Sequence, residues 1–224
     1  MEHEEIPPHH RQGVLFVISG PSGVGKTSLS QRVIANMCGV RQSVSYTTRA
    51  PRQHEQSGRE YYFIARPAFE RHIARGEFLE WARVHEHLYG TSRQQVETVT
   101  RAGIDVLLVI DVQGAAQLRT SGVEAVFVFV VPPSWEVLAA RLRQRGSETP
   151  DIQARRLVVA RQELAHYTQY DYVVVNDQLD QAAEVLQAII IAARHQVPRI
   201  GHAAMKDLLT HHFADQALPN STQD

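Results

Sequence analysis

Near the start of the chain, Gly20-Pro21-Ser22-Gly23-Val24-Gly25-Lys26-Thr27 has the spacing G-x-x-x-x-G-K-[ST], in residue types suited to gripping a polyphosphate. Glycines let the backbone curl so that successive N–H groups converge on phosphate oxygens, and the N-terminus of a following helix adds positive potential. Lys26 is placed to reach the β- and γ-phosphates, Thr27 offers a hydroxyl to Mg²⁺, and Ser28 closes the nucleotide-contacting run. Alone, such a loop identifies only a nucleoside triphosphate site. GTPases, motors and kinases share it, so the acceptor has to be sought elsewhere in the chain.

Three further groupings can do chemistry. Arg49 and Arg52, three apart, stand ahead of Tyr61 and Tyr89, a donor set suited to a dianionic phosphate because the planar guanidinium fork matches paired oxygens. Val106-Leu107-Leu108-Val109-Ile110-Asp111 is an apolar run ending in a carboxylate, the pattern that sets an acid at the C-terminal end of a buried strand near Mg²⁺. Between 141 and 161, Arg141, Arg143, Arg145, Arg155, Arg156 and Arg161 face only Glu148, Asp151 and the nearby Glu163, with Gly146 as a hinge. Arginines on a closing segment stabilise a transferring phosphoryl group, worth ~10³–10⁵ in rate where an arginine finger acts. The histidines, His85 and His87 among them, lack metal-ligand spacing.

These groups need a scaffold to hold them together. Val14 to Ile18 is a β-rich run ending at a glycine turn, after which Leu29, Val33, Ile34 and Met37 fall on one helical face and Gly39 marks the stop. Val106 to Ile110, Ala125 to Val131 and Tyr172 to Val175 read as further strands, each apolar on both faces, as a parallel sheet covered by helices requires. Ser134 is expected to cap a helix carrying Leu138 and Leu142, and Asp151 one carrying Leu157 and Leu164. Val185, Leu186, Ile189 and Ile190 mark a last core helix. The fold class is therefore α/β, a doubly wound parallel sheet. Residues 43–92 interrupt the rhythm with Thr, Tyr, Arg and Gly and a Ser57-Gly58 turn, which predicts an inserted mixed α/β subdomain. The expected organisation is a flexible 1–12, a core of 13–42 and 93–197 with a helical lid at about 141–161, the insertion at 43–92, and a short helix (203–213) and tail within 198–224.

Composition narrows the function classes. With 224 residues the chain suits one domain burying roughly 70% of its extended surface. Lys and Arg total 23 against 24 Asp and Glu, a net charge of −1, which lacks the broad basic field of nucleic-acid binders. The single Cys38 rules out an internal disulfide, and the N-terminal stretch has neither the cationic start nor the apolar run of a signal peptide. The longest apolar run, Ala125 to Val131, falls far short of the ~18 residues of a membrane span. The expectation is a soluble, cytoplasmic protein that binds small molecules, not nucleic acid or membrane; whether it is a monomer or a homo-oligomer is left open.

Downstream of the phosphate loop stand, in order, Ser45-Tyr46-Thr47-Thr48-Arg49-Ala50-Pro51-Arg52, Gly58-Arg59-Glu60-Tyr61-Tyr62-Phe63, Phe78-Leu79-Glu80-Trp81-Ala82, Tyr89-Gly90-Thr91, Ile110-Asp111-Val112-Gln113-Gly114 and Val175-Asn176-Asp177. In these stretches, from about Gly13 to about Ile191, the chain resembles the guanylate kinases of bacterial type, nucleoside monophosphate kinases built on a P-loop core. The resemblance implies Mg²⁺-dependent, in-line transfer of a phosphoryl group from ATP to GMP, giving ADP and GDP. It implies that Gly20 to Ser28 and Asn176 bind ATP, with Asn176 at the adenine. Arg49, Arg52, Tyr61 and Tyr89 would hold the GMP phosphate, and Ser45, Glu80, Thr91 and Asp111 would read guanine. Lys26 with the lid residues Arg141, Arg145 and Arg156 would act on the transferring group, leaving Arg143, Arg155 and Arg161 as a basic helix face.

Guanine chemistry agrees with that set, since a carboxylate complements the donors at N1 and N2 and a hydroxyl complements O6, whereas adenine inverts the pattern. Asp111 carries two readings, metal ligand and guanine reader. The chain departs from the family at Val109, where many members carry an acid. Two rivals are a fold-sharing peptide-binding scaffold, opposed by the intact Gly25-Lys26-Thr27 and the lid arginines, and a ribose-phosphate kinase, opposed by Ser45, Glu80 and Asp111.

Overall fold

A computed structural model describes residues 11–84, 86–144 and 150–199. The first apolar run forms β1 (Leu15–Ser19), buried at every position. Strand side chains alternate between faces, so Phe16 and Ile18 enter one core layer and Leu15 and Val17 the other. β1 is central in a sheet whose other members are β2 (Val40–Gln42), β7 (Asp105–Val109), β8 (Val126–Val131) and β9 (Tyr172–Val175), in the order β2-β7-β1-β8-β9 and parallel throughout.

Helices α1 (Lys26–Asn36), α5 (Trp135–Gln144) and α7 (Leu179–Arg194) supply Leu29, Val33, Leu138, Leu142, Leu186 and Ile190 to the first layer. Helices α3 (Arg93–Arg101) and α4 (Val112–Thr120) supply Val96, Ala115 and Leu118 to the second. The doubly wound α/β expectation is met. From β1 the chain leaves towards β2 on one side, whereas β8 lies on the other, so the crevice that opens at such a switch point sits above the C-terminal end of β1.

Four local expectations need correction. β9 is an edge strand: only Val174 is buried, and Tyr172, Val173 and Val175 are exposed, so it is not apolar on two covered faces. An edge strand has one neighbour and an end-on helix layer, so an apolar run does not guarantee cover. Val185 is 49% exposed on the outer side of α7, while Ala182 and Ala183, too small to stand out in a sequence, fill the core. Helix α6 (Pro150–Leu164) begins ahead of Asp151, which therefore stands in the first turn instead of capping it; proline is well suited to such a start. β7 begins one residue earlier than the apolar run, at Asp105. Ser134 does behave as expected, its hydroxyl accepting the Val137 N–H at 3.3 Å. The helix expected at 203–213 lies outside the described residues.

Between β2 and α3 the chain builds a second sheet from β3 (Tyr46–Thr47), β4 (Tyr62–Phe63), β5 (Phe78–Val84) and β6 (His87–Ser92), ordered β4-β3-β6-β5, with helix α2 (Arg66–Ala74) against it. It is mixed, parallel only between β3 and β4. Its small core holds Phe69, Phe78 and Leu88; a Cβ on Gly90 would come within 2.9 Å of Phe69 Cζ, so only glycine lets that ring approach. At the opposite pole of the main sheet Asp105, fully buried, accepts from Arg11 Nη1 at 2.7 Å, Arg194 Nε at 2.7 Å and the Val14 N–H at 2.8 Å. Among the described residues, no helix is long and apolar enough to cross a membrane.

Candidate active site

The phosphate loop turns from β1 into α1 through two positions that need glycine. Gly20 has φ +139°, and a Cβ there would lie 2.2 Å from the Val130 carbonyl oxygen; Gly25 has φ +90°, and its Cβ would lie 2.5 Å from Asn176 Nδ2. No side chain caps α1 at Gly25, so its first-turn N–H groups have no intrahelical acceptor and add to the helix's positive end. An anion is the natural cap for such an end. Lys26 Nζ donates to the Gly20 and Pro21 carbonyls at 2.6 and 3.0 Å, arching over the loop. Ser22, Thr27 and Ser28 are exposed at its mouth, whereas Pro21, Gly23 and Val24 are buried beneath.

Behind the loop, Asn176 is buried and spends its amide N–H on the Val24 carbonyl at 2.7 Å. Arg141 donates in turn to the backbone oxygens of Asn176 and Asp177, at 3.0 and 3.4 Å. Asn176, expected at the adenine, thus also braces the loop, and its Oδ1 and second amide N–H remain to meet a base. Arg156 is half-buried on α6, and Arg143, Arg155 and Arg161 are exposed. Arg145, Gly146, Glu148 and His85 lie outside the described residues.

On the inserted sheet, Glu80 and Thr91 face one another across the β5–β6 ladder, and a bulge between Phe78 and Glu80 re-aims the strand just before the carboxylate. Thr91 Oγ1 donates to Glu80 Oε1 at 2.6 Å and lies 3.4 Å from Ser45 Oγ, so Ser45, Thr91 and Glu80 form one chain of polar atoms. Glu80 is 5% exposed, and burial pushes its carboxyl up to about 7; the Thr91 hydroxyl pulls the other way and the Asp111 carboxylate adds to the rise. A Cβ on Gly114 would come 2.7 Å from Glu80 Oε2, so Gly114, at the start of α4, is the floor under this acid. Asp111 caps the same helix, accepting the Gly114 N–H at 2.8 Å through Oδ1, which leaves its second oxygen for another partner. The structure thus brings together Ser45, Glu80, Thr91 and Asp111, four side chains that the sequence spreads over 67 residues.

The anion set gathers at the end of β3. Arg49 lies over the Tyr61 ring, 5.5 Å from its centroid, and the Tyr61 and Tyr89 rings meet edge to face at 5.7 Å. Burial would lower the Arg49 pKa, but Glu55 and the Tyr89 hydroxyl outweigh it and hold the guanidinium charged. Arg52 is exposed; its backbone N–H donates to Glu55 Oε2 at 2.8 Å, and its charge reaches Glu55 and Tyr61. Glu55, which accepts from Arg49 Nη2 at 2.9 Å, is a member that sequence reasoning missed; an acid three residues after Arg52 in a turn was the available signal. Cavities of about 490 and 340 Å³ lie elsewhere, one bounded by Arg41, Ser43, Gln95 and Val99, the other by His72, Glu77 and Arg93, and none of the expected nucleotide contacts lines either.

The hard oxygens expected to suit a divalent cation are the exposed Thr27 hydroxyl and the Asp111 carboxylate, whose second oxygen the helix cap leaves over. Among the described residues no group of three or more His, Cys, Asp or Glu side chains is arranged as a metal cage, so such an ion would share its coordination with phosphate and water, the usual habit of Mg²⁺.

Comparison with known proteins places this geometry in a family. A family profile described as guanylate kinase matches residues 12–193. A guanylate kinase of Dechloromonas aromatica is 48% identical over 86% of this chain and 96% of its own, and one of Symbiobacterium thermophilum is 48% identical over 90% and 96%. Among solved structures, a guanylate kinase from Anaplasma phagocytophilum superposes with a TM-score of 0.73 at 32% identity, covering 92% of this chain and 98% of its own. A buried acid on an inserted sheet and a glycine-lined phosphate loop in one chain are therefore no isolated coincidence: the chain belongs to the guanylate kinase family.

Proposed function

We propose that this protein transfers the γ-phosphoryl group of ATP to GMP, giving ADP and GDP. The observation that carries the reading is Glu80, a buried carboxylate held by Thr91 over the glycine floor of Gly114. A buried acid with one oxygen spare suits a ligand that brings its own donors, and guanine presents N1–H and N2–H₂ together. The relatives matched over nearly the whole chain bear the name of that activity.

In this reading residues 43–92 are the GMP subdomain and the lid spans about 141–161. The loop from Gly20 to Ser28 grips the triphosphate by its N–H groups, and Asn176 keeps it in shape while offering Oδ1 to adenine. Arg49, Tyr61 and Tyr89, with Arg52 turning inward, hold the GMP phosphate; Glu55 releases Arg49 to it. Ser45, Thr91 and Glu80 read the base. A GMP phosphate oxygen, already ionised near neutral pH, attacks in line, so no general base and no covalent enzyme intermediate is needed. Lys26 must leave the loop carbonyls to follow the γ-phosphoryl oxygens, and Arg141, Arg145 and Arg156 add charge where it develops. Thr27 and Asp111 would hold Mg²⁺, which would supply charge neutralisation to the triphosphate during transfer. The lone Cys38 is exposed, which suits a reducing cytoplasm.

A coupled assay of ATP with GMP, AMP, UMP, IMP and ribose bisphosphate tests the reading. GMP should be strongly preferred, and turnover of another acceptor at equal or greater efficiency overturns it.

A further inference from the structure

Three of the four buried side-chain atoms without a hydrogen-bond partner among the described residues, Ser19 Oγ, Tyr170 OH and Glu163 Oε2, lie around one place. Ser19 is fully buried as the last residue of β1, directly ahead of Gly20. Tyr170 faces it across the end of the sheet, its ring against Phe129 at 4.7 Å, and the two hydroxyls feel one another without reaching hydrogen-bond geometry. Glu163 arrives from the last turn of α6, within reach of the Ser22 N–H, the Lys26 ammonium, Asp111 and His166. Tyr170 likewise senses Asp111 and Glu163.

A buried hydroxyl or carboxylate oxygen left unpaired costs roughly 1–3 kcal/mol, so three together imply that polar matter fills the gap between them. Its charge is constrained. The carboxylates of Asp111 and Glu163 meet the Lys26 ammonium and the His166 ring, and the Arg119 guanidinium near Tyr170 is already paired with Asp171, so an incoming phosphate leaves the place negative; water alone does not balance that, whereas a hydrated cation does.

On the reading of the loop as an ATP site, we infer that Ser19, Glu163 and Tyr170 are positioning residues for the divalent cation that accompanies ATP, acting as outer acceptors and donors for its bound water beyond Thr27 and Asp111. Nothing in the sequence singles them out, because they are spaced over three elements and are ordinary in each.

The test uses the full chain with Mn²⁺ as a paramagnetic probe, titrated into the enzyme–ADP complex and read as free Mn²⁺ by electron paramagnetic resonance. Glu163→Gln, Tyr170→Phe and Ser19→Ala are each near-isosteric, so a fold failure in one leaves the others to decide. Outer partners of a metal site typically contribute 10–100-fold to its affinity. Mn²⁺ affinity in Glu163→Gln should fall about tenfold or more, and in Tyr170→Phe by a smaller but measurable factor, while metal-free ADP affinity and thermal midpoint stay near wild type. Unchanged Mn²⁺ affinity in all three overturns the inference. So does an equal fall in Mn²⁺ and metal-free ADP affinity, which would mark these residues as shaping the loop alone. A wild-type enzyme that does not phosphorylate GMP sinks the functional reading instead, and the Mn²⁺ titration remains interpretable on its own.

Discussion

Acidification should weaken GMP binding through Glu80. Its carboxyl, held at about 7 by burial, is ionised to about 0.9 at pH 8 and about 0.1 at pH 6, and only the ionised form accepts from both guanine donors. Affinity should therefore drop about tenfold across that range. The GMP phosphate also titrates near 6, so the wild type must be compared with Glu80→Gln, which keeps the phosphate contribution and removes the carboxyl. Calorimetry at pH 7 in two buffers of different ionisation enthalpy should find about half a proton released per GMP bound by the wild type, beyond that of the variant.

The linkage has a second face. The folded value lies above the ordinary 4.5, so the protonated acid favours folding below about 4.5, and that contribution fades as pH rises through about 7. The loss amounts to roughly 3 kcal/mol. Glu80→Gln should thus be at least as stable as wild type at pH 8 although it binds GMP far worse. Parallel pH curves for the two proteins, with equal proton release, refute the assignment of base reading to Glu80.

Gly114→Ala would set a methyl 2.7 Å from Glu80 Oε2 and should raise KM for GMP about tenfold or more with KM for ATP unchanged; equal KM values in steady-state kinetics would remove Gly114 from the pocket. Lys26→Ala should abolish turnover while circular dichroism and thermal midpoint stay close to wild type, and substantial activity in the folded variant would sink the transfer mechanism. Arg156→Ala should lower kcat more than it weakens GMP affinity; the reverse pattern would move it to the acceptor side. Asp105→Ala leaves the Arg11 and Arg194 guanidinium groups buried without their carboxylate and should cost about 3–5 kcal/mol in urea unfolding, and a loss under about 1 kcal/mol would mean both cations reach solvent freely.

What could be read from the sequence was whatever is written locally. The phosphate loop has fixed spacing because one backbone curl needs its glycines at fixed places, and β8, like β1 as far as Ile18, is apolar because both faces are covered. Partnerships across elements were not legible. Glu80 looks like a surface acid until β6 brings Thr91 across from it and α4 brings Gly114 beneath. Glu55, Glu163 and Asp105 are single acids in polar company, and their roles arise only from arginines, a lysine or backbone N–H groups that the fold delivers. Exposure at β9 and at Val185 failed for the opposite reason: apolar residues are common on surfaces, and periodicity does not say where a sheet ends.

The Asp105 junction also sets an order of events during synthesis. Arg11 precedes Asp105 by 94 residues and Arg194 follows it by 89, so the charge under the sheet is only half answered while the chain is being made. The same helix that carries Arg194 brings Ala182, Leu186 and Ile190 to the core, so the central sheet has one face open until that helix leaves the ribosome. At ~5–20 residues per second, those 89 residues take roughly 4–18 s to make. The inserted sheet, closed within residues 46–92, is synthesised in full long before, so all of its strands are available to pair while the scaffold beneath still waits for its last helix.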